Sequence, residues 1–376
     1  MKYRRILVPT DFSTGSESAL RYACRFARCT ASELVLLHVL DLPLYYYRTL
    51  ETQSDSPREL RQHAFEQARA KAQEILTRLP EAVDIPAHIR VRTGSASREI
   101  IAEVQEEKNI DLVIIATSGR SGISHALLGS VAEKVIRTCS CPVITLREGT
   151  TGFAPDQRSL RGVLCPSDAS KLSEGAFPTA VDLCQRFHAP LHVLHVLEDL
   201  SAYPMVEWAF LPDQQINAVY EKAEADARAS IQQAVEQRCS SAAIVFDVNV
   251  RRGHAADGIV EEAKRTGSDL IVMMTHGRTG FEHSILGSVA ERVARTATCP
   301  VLTLRVTKKK EKSKDKKKDK VAEREQAVAK KQKAAAAKSR EAAAKVEAKK
   351  AKQAAKAAKQ NAKKTKEKSK TKRAAK

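Results

Sequence analysis

Asp111-Leu-Val-Ile-Ile-Ala-Thr-Ser-Gly-Arg-Ser-Gly122 and Asp269-Leu-Ile-Val-Met-Met-Thr-His-Gly-Arg-Thr-Gly280 are one stretch written twice, 158 residues apart. Each is a short β-branched run that ends in a glycine turn, which reads as a buried strand running into a loop. Moving outward at the same offset, Leu128-Gly-Ser-Val-Ala-Glu-Lys-Val135 answers Leu286-Gly-Ser-Val-Ala-Glu-Arg-Val293, and Cys141-Pro-Val-Ile-Thr-Leu-Arg147 answers Cys299-Pro-Val-Leu-Thr-Leu-Arg305. Upstream the offset is 157: Val8-Pro-Thr-Asp-Phe-Ser13 matches Cys165-Pro-Ser-Asp-Ala-Ser170, and Leu37-His-Val-Leu40 matches Leu194-His-Val-Leu197. The chain therefore carries one domain twice. The expected division is a first domain at 1–148, a linker at 149–158, a second domain at 159–306 and a tail at 307–376.

Within the first copy, β-rich runs at Arg5–Val8, Leu34–Val39, Ala87–Val91, Leu112–Ala116 and Val143–Leu146 alternate with helical periods at Ser16–Cys29, Pro57–Leu79, Ser97–Lys108 and Ser130–Arg137. The first helix gathers Ala19, Ala23, Phe26 and Ala27 on one face. Strands that are apolar almost throughout, each followed by a helix, belong to a parallel sheet covered on both sides. The fold class is α/β: two tandem, doubly wound, five-stranded parallel sheets of Rossmann-like type. Ligands of such sheets sit beyond the carboxyl ends of the strands, where the winding reverses. There the loops Pro9–Ser13 and Thr117–Ser130 are expected to meet.

Charge separates the tail from the rest. The whole chain has a formal net charge of +19, but Lys308–Lys376 holds 29 basic and 8 acidic residues, which leaves 1–307 at −2. The folded part is therefore no nucleic-acid binder on charge grounds. The tail has no Gly, Pro or aromatic residue and too few apolar side chains for a core, so disorder with fluctuating helix is expected. Its charge suits nonspecific attachment to a polyanion such as nucleic acid, by counterion release and without base stacking. Apolar runs fall short of the roughly 18 residues a membrane span needs. No secretory h-region follows Met1, so a cytoplasmic location is expected. The eight cysteines form no zinc knuckles and read as reduced, buried thiols, with Cys139-x-Cys141 set apart by its spacing.

The functional loop is Gly119-x-x-Gly122 followed by Gly129-Ser130 at a helix start. First-turn amides there lack backbone acceptors and face anions with the positive end of the helix dipole. Ser130 is positioned to cap that helix or to meet a phosphate oxygen. Neither GxxxxGK[ST] nor a true GxGxxG occurs, which turns the reading away from P-loop NTPases and dinucleotide enzymes. The spacing Ala116-x2-Gly119-x9-Gly129-Ser130, repeated as Met274-x2-Gly277-x9-Gly287-Ser288, resembles the G-x2-G-x9-G-[S/T] motif of the universal stress proteins in their tandem form. The Pro-x-Asp of strand one and the His-Val of strand two match that family in both copies. The resemblance spans 1–306 and excludes the tail.

The resemblance implies an adenine nucleotide, ATP with magnesium as its accompanying ion. By it, Asp11 and Val39 would contact adenine, with Gly119, Gly129, Ser130 and Val131 around ribose and phosphates. The second copy offers Asp168, Val196, Gly277, Gly287, Ser288 and Val289. It also implies that the two copies pack as an intramolecular pseudo-dimer. The motif's first glycine is replaced by Ala116 and by Met274, whose long side chain would stand where ribose is expected, so the first domain is expected to bind better than the second. Arg120, Arg278, His125 and His283 recur within the loops, where surface charge is the plainer reading. Tyr45-Tyr46-Tyr47 and the Tyr203–Phe210 segment with Trp208 could pack on a helix or close over a ligand. His38 and His195 sit inside apolar strands and read as satisfied core histidines.

Asp11 and Asp168 are the only carboxylates repeated at the mouths, and one acid per site makes no acid/base pair. Ser130 and Ser288 lack an adjacent base. The favoured reading is a regulatory ATP-binding module of the stress response. A slow ATP hydrolase or phosphoryl-transfer enzyme is the second reading, and a nonspecific nucleic-acid binder acting through its tail is the third.

Overall fold

The computed structural model describes residues 3–41, 57–107, 109–117, 128–150, 153, 159–198, 213–239, 244–276 and 286–305. The first half runs β1 (Arg5–Thr10), α1 (Thr14–Thr30), β2 (Glu33–Leu40), α2 (Pro57–Arg78), β3 (Ala87–Thr93), α3 (Ala96–Glu106), β4 (Ile110–Ala116), α4 (Ser130–Thr138) and β5 (Val143–Leu146). The second repeats it as β6 (Val163–Pro166), α5 (Phe177–Arg186), β7 (Leu191–Leu197), α6 (Asp213–Cys239), β8 (Phe246–Arg252), α7 (Ala255–Thr266), β9 (Leu270–Met274), α8 (Ser288–Thr296) and β10 (Val301–Leu304). All belong to one compact unit, Met1–Val306. Among the described residues, no helix is long and apolar enough to cross a membrane.

The expected strands and helices of the first copy are all present, most extended by one or two residues. Ser13 caps α1 by accepting from the Ser16 amide, and Ala31 ends it in the left-handed conformation. Ala19, Ala23, Phe26 and Ala27 are each at most 1% exposed, as their spacing requires.

Each half is a parallel sheet, but the halves do not form separate sheets. The strand order β3-β2-β1-β4-β5-β10-β9-β6-β7-β8 makes one ten-stranded sheet, in which β5 and β10 pair antiparallel at the middle. Val301 faces Thr145, Leu302 faces Ile144 and Thr303 faces Val143. The threonine hydroxyls reach across reciprocally, Thr145 Oγ1 donating to the Val301 carbonyl and Thr303 Oγ1 to that of Val143 at 3.1 Å. Because the seam is fully buried, those hydroxyls satisfy themselves without leaving it.

Two apolar layers cover the sheet, and each continues across both halves. α1, α2, α5 and α6 pack on one face, and α3, α4, α7 and α8 on the other. On the first face Tyr22, Phe26, Phe153 and Phe187 join the halves, with Phe26 and Phe187 centroids 5.2 Å apart. Burying aromatic area on one face of a shared sheet and aliphatic area on the other ties the duplicated halves into one core.

Candidate functional site

The first candidate site begins where β1 leaves the sheet. Its neighbours are β2 on one side and β4 on the other, all parallel, so the winding reverses between β1 and β4. α1 leaves this edge on one face and α4 on the opposite face. Their amino termini therefore flank the crevice from both sides, which is the switch-point arrangement.

Hydroxyls and one carboxylate hold the β1–α1 turn. Asp11 Oδ1 accepts from the Ser13 amide at 3.0 Å and from the Ser13 hydroxyl. Ser13 Oγ accepts from the Ser16 amide, Ser16 Oγ lies 3.1 Å from Thr10 Oγ1, and Thr10 Oγ1 accepts from the Phe12 amide at 3.0 Å. The second half repeats every link. Asp168 accepts from Ser170, Ser170 Oγ from the Ser173 amide, and Ser167 Oγ from the Ala169 amide. The residue after each aspartate, Phe12 at φ 63° or Ala169 at φ 59°, adopts the left-handed conformation. A non-glycine residue pays about 1 kcal/mol for that, and the hydrogen-bonded ring around it holds it there.

Sequence reasoning singled out the aspartates and passed over the hydroxyls. Their signal was available: Thr10, Ser13 and Ser16 recur as Ser167, Ser170 and Ser173 at the common offset. The strand histidines are satisfied, as expected. His38 Nδ1 meets the Thr10 carbonyl at 2.8 Å and His195 Nδ1 that of Ser167 at 2.7 Å, tying β2 and β7 to the same turns.

The opposite wall is the start of α4. Gly129, not Ser130, is the N-cap, and no side chain caps the helix; Ser130 is its exposed first residue. Gly287 and Ser288 have the same roles in α8. The Gly129 amide donates to the Thr117 carbonyl at 2.7 Å and the Gly287 amide to the Thr275 carbonyl at 2.9 Å. Each helix is thereby pinned against the end of its strand, while the following amides have no acceptor within the helix. A Cβ on Gly287 would stand 2.9 Å from the Thr275 oxygen, so only glycine permits this approach. Half-buried Val39 and Val131 pack on the same apolar layer, as do Val196 and Val289. Gly119 and Gly277, Arg120, Arg278, His125, His283, Tyr45–Tyr47 and Trp208, with the tail, lie outside the described residues.

Met274 is the last residue of β9. It packs with the layer of α5 and α6, and a Cβ on Gly175, in the short turn Ser173–Ala176, would stand 3.4 Å from its sulfur. Val196 and Val289 belong to the opposite layer. Strand alternation sends the thioether away from those valines, which a one-letter comparison of Ala116 with Met274 does not reveal.

The Universal stress protein family model matches residues 2–147 and again 160–305. The chain belongs to the universal stress protein family. A universal stress protein of Mycolicibacterium smegmatis is 30% identical over 310 residues, covering 80% of this chain and 96% of the relative. One from Methanocaldococcus jannaschii is 30% identical over 146 residues, 39% of this chain and 83% of its own. The crystal structure of a universal stress protein from Archaeoglobus fulgidus superposes with a TM-score of 0.59 at 22% identity, covering 82% of this chain and all of that one. That likeness shows the shared fold across both halves.

Proposed function

We propose that this universal stress protein is a regulatory module that binds an adenine nucleotide, ATP, at the switch point of each half. The observation that carries the reading is the duplicated wall: Gly129 and Gly287 pin uncapped helix starts against the ends of β4 and β9. A phosphate there would take the free amides of Ser130, Val131 and Ala132, or of Ser288, Val289 and Ala290. The helix dipole adds about 0.3–1 kcal/mol for a negative group. Val39 or Val196 offers apolar contact for a base across from the Asp11 or Asp168 turn. Gly119 and Gly277 enter on the family motif alone. His276, adjoining Gly287, has its Nε2 buried with no partner among the described residues, a polar atom that a bound ligand would satisfy.

No group of three or more His, Cys, Asp or Glu side chains gathers to hold a metal among the described residues. A magnesium ion would accordingly enter on the nucleotide's own phosphates. Asp11 and Asp168 are engaged in building their turns, which favours binding over acid/base catalysis. The first half is the favoured binder because Ala116 leaves more clearance at its strand end than Met274 does. With the thioether against Gly175, that preference is modest.

The module works in the cytoplasm, and each copy is a domain, 1–148 and 159–306, paired through the seam. The tail attaches it to a polyanion, nucleic acid among them, through a net charge of +21. Denaturing the purified chain and weighing any released small molecule tests the ligand, followed by ATP titration in a calorimeter. Release or uptake of adenine nucleotide is expected. An empty protein that gives no heat with ATP overturns the reading and leaves the family standing.

A further inference from the structure

We propose that Cys139 and Cys141 form a redox-active dithiol that closes reversibly to a disulfide by exchange with a low-molecular-weight disulfide. Cys139 is the C-cap of α4, and Cys141 lies two residues on, just before β5. Their Sγ atoms are 3.5 Å apart. A disulfide needs about 2.05 Å, so closure asks for an approach of about 1.5 Å. The two sulfurs differ in access, since Cys139 is fully buried and Cys141 is only half-buried.

Their surroundings favour loss of one proton from the pair. The Cys141 thiol donates to Cys139 and, with the Cys141 and Ser140 amides and the charge of Arg305, holds the Cys139 thiol below its ordinary value. Cys141, keeping the shared proton, is pushed up. Arg305 is fixed there by its bond to the Cys139 carbonyl at 3.4 Å. Such a pair titrates as a unit, and its remaining proton passes between the sulfurs.

The duplication supplies an internal contrast. The same turn in the second half reads Ala297-Thr-Cys299, and Cys299, without a neighbouring thiol, is pushed up to about 12 by burial. One turn therefore holds a dithiol in the first half and an isolated thiol in the second.

The exchange runs in two steps. When the shared proton passes to Cys139, the outward Cys141 thiolate attacks one sulfur of the small disulfide. A bond forms between them, the small disulfide's own S–S bond breaks, and its other half leaves as a thiolate that takes up a proton. Cys139, its proton passed to solvent, then attacks Cys141 Sγ; the internal S–S bond forms, the mixed disulfide breaks, and the second small thiolate leaves and is protonated. Two protein thiols are oxidised and one small disulfide is reduced to two thiols.

The test incubates the full chain in buffers of graded oxidised to reduced glutathione. Acid quenching, unfolding with N-ethylmaleimide and mass spectrometry of the peptides follow. Expected in the parent is a peptide that has lost two hydrogens between Cys139 and Cys141 and takes no label, while Cys299 is labelled. In Cys139→Ala, which copies the natural Ala297, glutathione is expected to persist on Cys141 about tenfold more than in the parent, because nothing resolves it. Cys139→Ser gives the same readout if alanine lowers the melting temperature. Both cysteines labelled throughout the parent series, or glutathione persisting on its Cys141 as in the variants, overturns the proposal.

Discussion

Replacing Gly287 with alanine probes the wall on which the nucleotide reading rests. The added Cβ would meet the Thr275 carbonyl oxygen at 2.9 Å and the His276 Cα at 3.8 Å, both backbone atoms that cannot rotate aside. The start of α8 must then move off the end of β9. Overpacking of this kind costs about 1–3 kcal/mol. Straining the 2.9 Å bond from the Gly287 amide to Thr275 adds about 1 kcal/mol, for a total of about 2–4 kcal/mol. With an unfolding entropy of about 2.1 cal/mol/K per residue, a unit of this size shifts by about 1.5 °C per kcal/mol, so the melting temperature should fall by about 3–6 °C in differential scanning calorimetry. ATP titration should lose the second half's binding and keep the first's. Gly267→Ala is the control, since at φ +64° with nothing within 4 Å it carries backbone strain alone, about 1 kcal/mol. A Gly287→Ala protein that melts no lower than Gly267→Ala, and still fills two sites, would refute the close-approach argument.

Asp11→Ala removes the acceptor for the Ser13 amide and hydroxyl and should cost about 1–3 kcal/mol together with ATP binding in the first half. Asp11→Asn keeps an acceptor oxygen and should recover most of the stability; paired melting and calorimetry separate the two effects. At Glu262, 1% exposed, the Arg265 hydrogen bond, with Asn249 and Arg251, holds the carboxyl below its ordinary 4.5. A depressed folded value stabilises above the unfolded one and loses that stability as pH falls through it, so this contribution should drain away below about pH 4.5. With Arg265 more than half exposed, Glu262→Gln should cost about 1–2 kcal/mol at pH 7 and flatten the acid limb of a melting series. Removing 307–376 should leave ATP affinity unchanged and abolish polyanion binding and its salt dependence in a fluorescence titration. Polyanion binding by the shortened chain would place that function in the folded halves.

Most of the fold was legible because strands and helices here obey local rules. The alternation of β-branched runs with amphipathic periods is a property of neighbours in sequence, and the 157–158 spacing exposes the duplication directly. The seam was not legible. Val143–Leu146 and Val301–Leu304 read as ordinary buried strands, and nothing in three apolar residues and a threonine says that the next strand over comes from the other copy, antiparallel. The candidate site divides in the same way. Gly129 and Gly287 stood out by composition, whereas the true cap position depended on a φ, ψ choice one residue earlier than Ser130. The direction of Met274 depended on which face of β9 that residue occupies, and its neighbour Met273 is the same residue type on the opposite face.

The seam also decides how the two candidate sites relate. Strands within each half are parallel, but β10 runs against β5. The carboxyl ends of β1, β2 and β4 therefore lie on one edge of the ten-stranded sheet, and those of β6, β7 and β9 on the opposite edge. The two candidate sites therefore open at opposite ends of the strands. What they share is the core between them: both apolar layers continue through the seam, and α4 and α8 lie on the same face. Any influence of one occupied site on the other would travel through those shared layers, the Phe26–Phe187 contact included, and through the β5–β10 ladder, where Thr145 and Thr303 hydrogen-bond across the halves.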